Sequence, residues 1–285
     1  MTQYYEQSLD QLFLRLRADI NNTDWDDAKS VLSQMKERIS TEIASTQRWH
    51  VVREIEKAVN GNKDAFILDF GCGGGQSVVY FYLLGYKNIY GADMVSQKVP
   101  NEIMKLLGVE NMHCLQYDGG TLPLETNKFD AVFSEQVLEH VLNIPQYYAE
   151  AGRVIKSGAS AYFTFPHKFT PYEKHGGTWF LHMFPKPITY FFYRLLGRDV
   201  EGLRNTLNLQ SISYHKNIAL KYFVTVENKT VARLQDFTGK DLNRYQGNKN
   251  LRKIAQLLIK QRWVGPIALK LLSSWASVSL VLKNK

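Results

Sequence analysis

The stretch ILDFGCGGG, residues 67–75, combines one acid with a backbone that has almost no side chains. Asp69 lies in an apolar run with the composition of a buried strand, and Gly71, Gly73 and Gly75 follow at alternate positions. Glycine permits tight turns and lets a ligand approach the backbone closely. The spacing therefore predicts a ligand-binding loop with a carboxylate directed at it.

Two common phosphate-binding loops do not fit this spacing. A P-loop needs a lysine and a serine or threonine after its glycines, whereas Gln76 and Ser77 follow Gly75 here. A dinucleotide-binding loop needs its third glycine three positions after the second, where this chain has Gln76. A carboxylate at Asp69 would repel a pyrophosphate and attract an ammonium or sulfonium group. S-adenosylmethionine carries both of those cations and no phosphate, so the loop favours it.

Two more acids follow the next two predicted strands. Asp93 ends NIYGAD about twenty residues beyond the first glycine, where a carboxylate can accept hydrogen bonds from ribose hydroxyls. Asp118 ends LQYD and could accept a hydrogen bond from an adenine amino group, although the two glycines after it are also typical of an ordinary turn. Cys72 is interpreted as a small residue between glycines, not as a nucleophile.

Four motifs, in order along the chain, resemble those of the class I S-adenosylmethionine-dependent methyltransferases of type 11: ILDFGCGGG, GADM, LQYDGGTLPLETNKFDAVFSEQVLEHV and RVIKSGASAYFTFP. The resemblance spans residues 64–166. It implies that the glycine loop passes the methionine part of the cofactor, that Asp69 orients its amine, and that Asp93 holds the ribose while Asp118 reads the adenine. The cofactor-binding residues that it implies are Asp69, Gly71, Gly73, Gly75, Asp93, Met94, Asp118, Gly119, Ser134 and Glu135.

Methyl transfer is an in-line displacement, so the enzyme chiefly positions the acceptor, and a hydroxyl acceptor also needs a base or a metal. The candidate bases are His140 in VLEHV, His167 after the fifth strand and His175 in TPYEKHGG. A Glu-x-x-Glu-His motif supplies metal ligands in quinone-pathway and small-RNA O-methyltransferases, but Gln136 replaces its first acid here. An amide is a weak ligand for a hard cation, so we predict no metal. His140 could act as a base or merely line the cofactor side of the pocket.

Alternating strand-like and helix-like segments predict the scaffold that carries these residues. Helical periodicity fills an N-terminal extension, 1–60, and a methyltransferase domain spans 61–285. The pattern predicts an α/β fold with a doubly wound, mostly parallel seven-stranded sheet of the Rossmann-like methyltransferase kind, with ligands at the carboxyl ends of its strands. The strands are predicted at 65–70, 88–93, 112–118, 129–135, 159–166, 219–226 and 277–282, and helices lie between them, including one over 136–155.

The segment 167–218 interrupts this alternation and is interpreted as a substrate-covering insert. Its stretch FTPYEKHGGTWFLHMF places glycines among aromatic residues, a composition typical of a lid over a ligand. The same aromatic residues could instead pack on the core. ITYFFYRLL and LRKIAQLLIKQRW interleave basic and apolar residues, so each could touch a membrane or form an ordinary solvated helix.

Composition limits the partners and the compartment. The net charge of +8, from 35 basic and 27 acidic residues, favours contact with anionic surfaces, but no nucleic-acid-binding module accompanies it. We therefore do not predict a nucleic-acid partner. Two cysteines, with no secretion signal and no transmembrane segment in the sequence, favour a cytoplasmic protein, with membrane association left open.

These features predict an S-adenosylmethionine-dependent methyltransferase that acts on a small-molecule or lipid-linked acceptor, at oxygen. The alternatives are an NAD-dependent oxidoreductase on a related sheet and a non-catalytic scaffold that binds the methyl donor. Gln76 and the inward acid Asp69 argue against the oxidoreductase. The oligomeric state is left open.

Overall fold

The computed structural model describes residues 9–21, 24–44, 48–109, 113–238, 257, 261 and 264–285. The chain divides into two compact units. Unit 1 contains the residues up to Phe133 together with Arg153–Ser160, and unit 2 contains Ser134–Gly152 and Ala161–Lys285. The division into a helical extension, 1–60, and a methyltransferase domain, 61–285, stays a prediction.

Helices precede the first strand, as the sequence predicts. They are α1 (Leu9–Ala18), α2 (Trp25–Ala44) and α3 (Trp49–Ala58). Asp24 begins α2, because its Oδ1 accepts hydrogen bonds from the backbone N–H groups of Asp26 and Asp27, which are otherwise unpaired at a helix start. Leu12 and Leu16 of α1 are fully buried, so the apolar face of this helix packs within unit 1.

A mostly parallel sheet of seven strands confirms the predicted fold class. Its strands run in the order β3-β2-β1-β4-β5-β9-β8, and β8 pairs with β9 antiparallel. β2 and β4 both pair with β1 in parallel, so the strand order reverses beside β1, and ligands bind at such a point in doubly wound sheets. The sheet strands are β1 (Phe66–Phe70), β2 (Asn88–Asp93), β3 (Cys114–Gln116), β4 (Phe129–Glu135), β5 (Ile155–Phe165), β8 (Phe223–Asn228) and β9 (Val278–Asn284), and β6 (Tyr172–Glu173) and β7 (Thr178–Trp179) form a separate hairpin.

The β1 strand is the centre of the unit 1 core. Ile67, Leu68 and Phe70 are buried, the continuous apolar pattern expected of a parallel strand covered on both faces. Two helices follow it, α4 (Gln76–Leu83) and α5 (Lys98–Leu106). Phe81 of α4 stacks on Phe133 with ring centroids 5.1 Å apart, so the helix is held on the sheet.

The predicted helix over 136–155 is wrong in its first half. Gln136 has φ +56°, a left-handed conformation that ends β4 and cannot continue as a helix. Helix α6 begins only at Ile144 and ends at Val154, with Pro145 in its first turn, where proline is favoured. Glu139 and His140 therefore lie on the connection between strand and helix, and β5 begins at Ile155, four residues earlier than predicted.

The rest of unit 2 is mainly helical. After the β6–β7 hairpin come a short 3₁₀ turn (Leu181–Met183) and the helices α7 (Lys186–Leu195), α8 (Val200–Thr206), α9 (Ile212–Ala219), α10 (Thr230–Thr238) and α11 (Gly265–Trp275). The predicted basic helix LRKIAQLLIKQRW lies outside the described residues except for Leu257 and Gln261. Within the part of the chain that the structure describes, no helix has the length and apolar character needed to cross a bilayer.

Candidate functional site

The glycine loop after β1 has the backbone that its spacing predicts. Gly71, Gly73 and Gly75 have φ values of +83°, +56° and +81°, which glycine adopts without strain. A Cβ atom at Gly75 would lie 2.4 Å from Cβ of Pro100, so a close contact with α5 requires glycine there. A Cβ atom at Gly73 would meet no described atom within 4 Å, so the backbone of Gly73 borders open space.

Two carboxylates lie beside this loop. Asp69, at the carboxyl end of β1, is only 3% exposed. Asp93, which ends β2, accepts a hydrogen bond from the Gly73 backbone N–H at 2.7 Å and another from the Val95 N–H at 3.1 Å. Asp93 thus fixes the loop as well as presenting a negative charge to it.

The pKa of the Cys72 thiol depends on the charges around the loop. A hydrogen bond with Cys114 and burial raise the pKa of Cys72 well above its usual value, and the carboxylates of Asp69 and Asp93 raise this pKa further. The thiol therefore stays protonated, in agreement with its interpretation as a packing residue. Only the smaller contributions, from the Asp69 and Asp93 carboxylates, depend on the sign of a charge, and these disfavour a phosphate and favour a sulfonium or ammonium group such as S-adenosylmethionine carries.

Arg17 and Gln97 are contacts of the loop that the sequence did not reveal. The Arg17 guanidinium donates to Gln76 Oε1 at 3.1 Å, and a Cβ atom at Gly74 would fall 0.9 Å from its Nη2. Gln97 donates to the carbonyl oxygen of Gly73 at 2.8 Å. The loop thus has a cation, Arg17, and two acids, Asp69 and Asp93, next to it, which could complement the carboxylate and the ammonium of a methionine group.

The predicted adenine-side residues lie at the ends of β2 and β3. Asp118 accepts a hydrogen bond from the Gly120 N–H at 2.9 Å, which is the ordinary turn that its sequence also allows. Gly119 has φ +85°, and a Cβ atom there would lie 3.0 Å from Sδ of Met94. The structure therefore brings the exposed Met94 side chain against Gly119, while contact of either residue with adenine stays a prediction.

Ser134 and Glu135 end β4, as predicted. The Ser134 hydroxyl shares a hydrogen bond of 2.9 Å with the Tyr147 hydroxyl and is buried. The backbone N–H of Gln136 donates to the carbonyl oxygen of Thr164 at 2.7 Å and holds the end of the strand. The contribution of Ser134 and Glu135 to cofactor binding stays a prediction.

A second set of polar residues, in unit 2, centres on Glu173 and His175. The His175 ring lies with Nδ1 2.7 Å from Glu173 Oε1, and the backbone N–H groups of His175 and Gly176 also donate to this carboxylate. Burial would raise the pKa of Glu173, but these hydrogen bonds outweigh it and hold the pKa below its usual value. The hydrogen bond to Glu173 in turn raises the pKa of His175. Because Nδ1 is held by the carboxylate, Nε2 is the ring atom left for a substrate.

His140 lies edge-on to this histidine, with the two ring centroids 4.7 Å apart. Its Nδ1 is 2.7 Å from the carbonyl oxygen of Thr206, which can only accept, so Nδ1 carries the proton. The structure therefore brings together two of the three predicted catalytic histidines. His175 has a carboxylate partner, Glu173, that raises its pKa.

His167 does not join this pair. It is buried, its ring lies against Phe169, and its Nδ1 accepts a hydrogen bond from the Phe169 N–H at 3.2 Å. Burial lowers the pKa of His167, so the ring is neutral near pH 7. In the structure His167 holds the turn after β5, and a catalytic role for it stays an untested prediction.

Glu139 is a further acid of this site that the predicted catalytic set leaves out. Its side chain is 3% exposed, and its Oε2 has no hydrogen-bond partner among the described residues. Burial raises the pKa of Glu139 to about 7, although the positive charge of His175 lowers it. The signal in the sequence was its place before His140. No group of three or more metal-ligating side chains occurs in the described ranges, and the prediction that no metal takes part stays a prediction.

Glu139 is expected to make the free energy of unfolding depend on pH. Its pKa is about 7 in the folded chain against 4.5 as the ordinary value, so its contribution is complete below pH 4.5 and is lost as the pH rises through 7. Glu139→Gln, which is neutral at every pH, is expected to be more stable than the wild type above pH 7 by about 3 kcal/mol. Urea unfolding across this range measures the difference. The exposed Glu201→Gln is the control, and equal pH slopes in wild type and Glu139→Gln would contradict the burial argument.

Comparison with known proteins agrees with this geometry. Residues 68–163 match the sequence profile of a methyltransferase domain. No curated protein matches the chain. An S-adenosylmethionine-dependent methyltransferase structure from Mesorhizobium loti is similar with 14% identity over 83% of this chain and 97% of that one, at a TM-score of 0.50. The MccD protein is similar with 17% identity over 83% and 96%, at a TM-score of 0.50.

A third similar structure is geranyl diphosphate C-methyltransferase from Streptomyces coelicolor A3(2), solved with Mg²⁺, geranyl diphosphate and S-adenosyl-L-homocysteine. It shares 11% identity over 88% of this chain and 82% of that one, with a TM-score of 0.49. The two structures with a TM-score of 0.50 establish the fold alone, and the profile match establishes the type of domain over residues 68–163. Residues 68–163 therefore form a methyltransferase domain with S-adenosylmethionine as its cofactor, on the Rossmann-like fold that the two structures with a TM-score of 0.50 share.

Proposed function

We propose that this enzyme transfers the methyl group of S-adenosylmethionine to a hydroxyl oxygen of a small-molecule or lipid-linked acceptor, and that His175 removes the hydroxyl proton. The hydrogen-bonded pair of Glu173 and His175 carries this proposal. An alcohol is a poor nucleophile until its proton is taken, whereas a neutral amine attacks through its lone pair. A histidine made more basic by a buried carboxylate suits the first task.

The donor side of the proposal rests on unit 1. S-adenosylmethionine supplies an activated methyl group on a sulfonium. Asp69 would bind its ammonium group, Arg17 its carboxylate and Asp93 its ribose hydroxyls. The open space over Gly73 supports this placement, since a ligand can reach the backbone there without a side chain in the way. Asp118, Met94 and Gly119 would border the adenine.

The acceptor side rests on unit 2. The acceptor's proton would go to His175, and Glu139 and His140 would help to position the acceptor. The segment 167–218 would recognise the acceptor, because it contains Glu173 and His175 together with exposed aromatic side chains such as Tyr172 and Trp179, whose rings lie 5.1 Å apart. Apolar and aromatic walls with a few polar groups are typical of small-molecule sites.

Methyl-labelled donor and an untargeted extract test the proposal. The enzyme is incubated with both, and the labelled product is isolated and its new methyl resonance assigned by NMR. We expect the label in a methyl ether, whereas a methyl ester would point to a carboxylate acceptor, which needs no base. A label on nitrogen or carbon would contradict transfer to oxygen, and donor binding without turnover over a broad acceptor panel would indicate the non-catalytic alternative.

A further inference from the structure

One face of helix α7 packs against other described residues of unit 2. Thr189 and Tyr193 are buried, and Tyr193 forms a small core with Val200 and Leu203. The Tyr193 hydroxyl also accepts a hydrogen bond from Thr178 at 3.0 Å. These contacts of Tyr193 hold α7 in its position in the fold.

The opposite side of α7 is an exposed apolar stripe. Its members follow the i, i+3, i+4, i+7 spacing of one helix face, and we call them the α7 stripe: Ile188, Phe191, Phe192 and Leu195. Phe191 is 60% exposed and Leu195 is 67% exposed. Further exposed apolar residues flank the stripe along the chain, namely Trp179, Phe180, Phe184 and Leu196. Exposed apolar side chains grouped on one helix face are typical of interaction sites.

A basic groove borders the α7 stripe. This groove, which we call the basic groove, has a volume of about 580 Å³. It is lined by Lys186, Pro187, Tyr190, Phe191, Arg194 and Arg204. Phe191 belongs to both features, so the two are continuous. Arg204 lies over the Tyr190 ring at 5.0 Å and is 3.5 Å from Glu201. The side chains of Lys186 and Arg194 make no ion pair within the described ranges, so the groove has an uncompensated positive charge.

We propose that the α7 stripe and the basic groove dock this enzyme on the surface of an anionic phospholipid bilayer. An interfacial helix places its apolar side chains at the boundary between headgroups and acyl chains, while adjacent Lys and Arg side chains contact lipid phosphates. The α7 stripe supplies the first element and Lys186 and Arg194 supply the second. The α7 stripe and the basic groove share Phe191, so both can contact the same membrane surface.

A second copy of the chain fits this surface less well. A two-fold symmetric contact through the α7 stripe would bring the basic groove of one protomer near that of the other, and like charges would face each other. A free anion would contact the basic groove but not the apolar side chains of the α7 stripe. The net charge of +8 favours approach to an anionic membrane. The inference goes beyond the proposed function and does not depend on it.

Vesicle flotation of the full chain tests the inference without donor or acceptor. The probes are vesicles of phosphatidylcholine alone and of phosphatidylcholine mixed with phosphatidylglycerol. We expect flotation with the mixed vesicles only, weakened by salt. The variants Phe191→Ser/Leu195→Ser and Lys186→Gln/Arg194→Gln are each expected to lower the partition coefficient about tenfold or more, because each removes one of the two contributions.

Matched controls come from exposed residues of the same unit. Leu220→Ser/Val224→Ser removes two exposed apolar side chains elsewhere, and Lys221→Gln/Lys283→Gln removes two exposed charges. Both controls are expected to float as the wild type does. Thermal unfolding verifies that every variant folds.

Three results would overturn the inference. The first is absence of flotation with anionic vesicles, and the second is unchanged flotation of either test variant. The third is a concentration-dependent dimer that Phe191→Ser/Leu195→Ser dissociates while no vesicle binding occurs, which would assign the α7 stripe to self-association. None of these results would affect methyl transfer, which is measured separately with the labelled donor.

Discussion

Replacing His175 with alanine is expected to lower kcat about 10²–10⁴-fold, the usual contribution of a positioned general base. Donor affinity is expected to stay close to that of the wild type, because His175 lies in unit 2 and the proposed donor contacts Asp69 and Asp93 lie in unit 1. The measurements are single-turnover kinetics with the identified acceptor and calorimetric titration with S-adenosylmethionine.

Two further variants separate proton transfer from a structural role. His175→Asn keeps a donor for the buried Glu173 carboxylate but provides no base, so it is expected to be as slow as the alanine variant. Glu173→Gln removes the charge that raises the pKa of His175, so the pH at which kcat/KM rises is expected to fall. An active His175→Asn enzyme, or an unmoved pH profile in Glu173→Gln, would contradict the role of His175 as the base.

Asp93→Asn is expected to have the second large effect, on donor binding. The substitution removes the carboxylate that we propose accepts hydrogen bonds from the ribose hydroxyls, which corresponds to about 1–3 kcal/mol in the free energy of binding. The same carboxylate accepts the Gly73 backbone N–H at 2.7 Å, so part of the loss comes from a less well-held loop. Calorimetric titration with S-adenosylmethionine measures the total.

The control for this variant is Asp64→Asn, because Asp64 is an exposed acid of the same unit that pairs with Lys87 on the surface. Its donor affinity is expected to equal that of the wild type. Comparison of urea unfolding for the two variants shows how much of the loss is structural. Unchanged donor affinity in Asp93→Asn would contradict the ribose assignment.

The glycine loop and the ends of the strands beside it could be predicted from the sequence because their features are local, while their contacts with the donor stay a prediction. Asp69 and the three glycines lie within seven residues, and the left-handed φ of each glycine is one that other residues adopt only with strain. The strands that carry Asp69 and Asp93 are short and apolar, so their ends could be located. The parallel order of the sheet then follows from the alternation of strands and helices.

The acceptor side was less predictable because it depends on long-range contacts and on one unusual backbone conformation. QVLEHVLN has helical periodicity, yet Gln136 adopts a left-handed φ. Because such a φ is usually found at glycine, the sequence gives no sign of it here, and the predicted helix start was wrong. The burial of Glu139 cannot be read from its neighbours in sequence. The pairing of His140 with His175 joins residues thirty-five positions apart, which periodicity does not encode.

The same limit applies to α7. The spacing of Ile188, Phe191, Phe192 and Leu195 was visible in the sequence, and so was that of Thr189 and Tyr193. Which of the two faces would be covered depends on Val200 and Leu203, which pack against Tyr193. Propensity and pattern therefore predicted a helix but not its exposed side.

The central claim is that the acids beside the glycine loop make the site bind a cationic ligand in preference to a phosphorylated one. Calorimetric titration of the full chain with S-adenosylmethionine and with NAD tests this most directly. The account predicts saturable binding of S-adenosylmethionine, weakened in Asp93→Asn, and no binding of NAD. Binding of NAD with no heat from S-adenosylmethionine would contradict it.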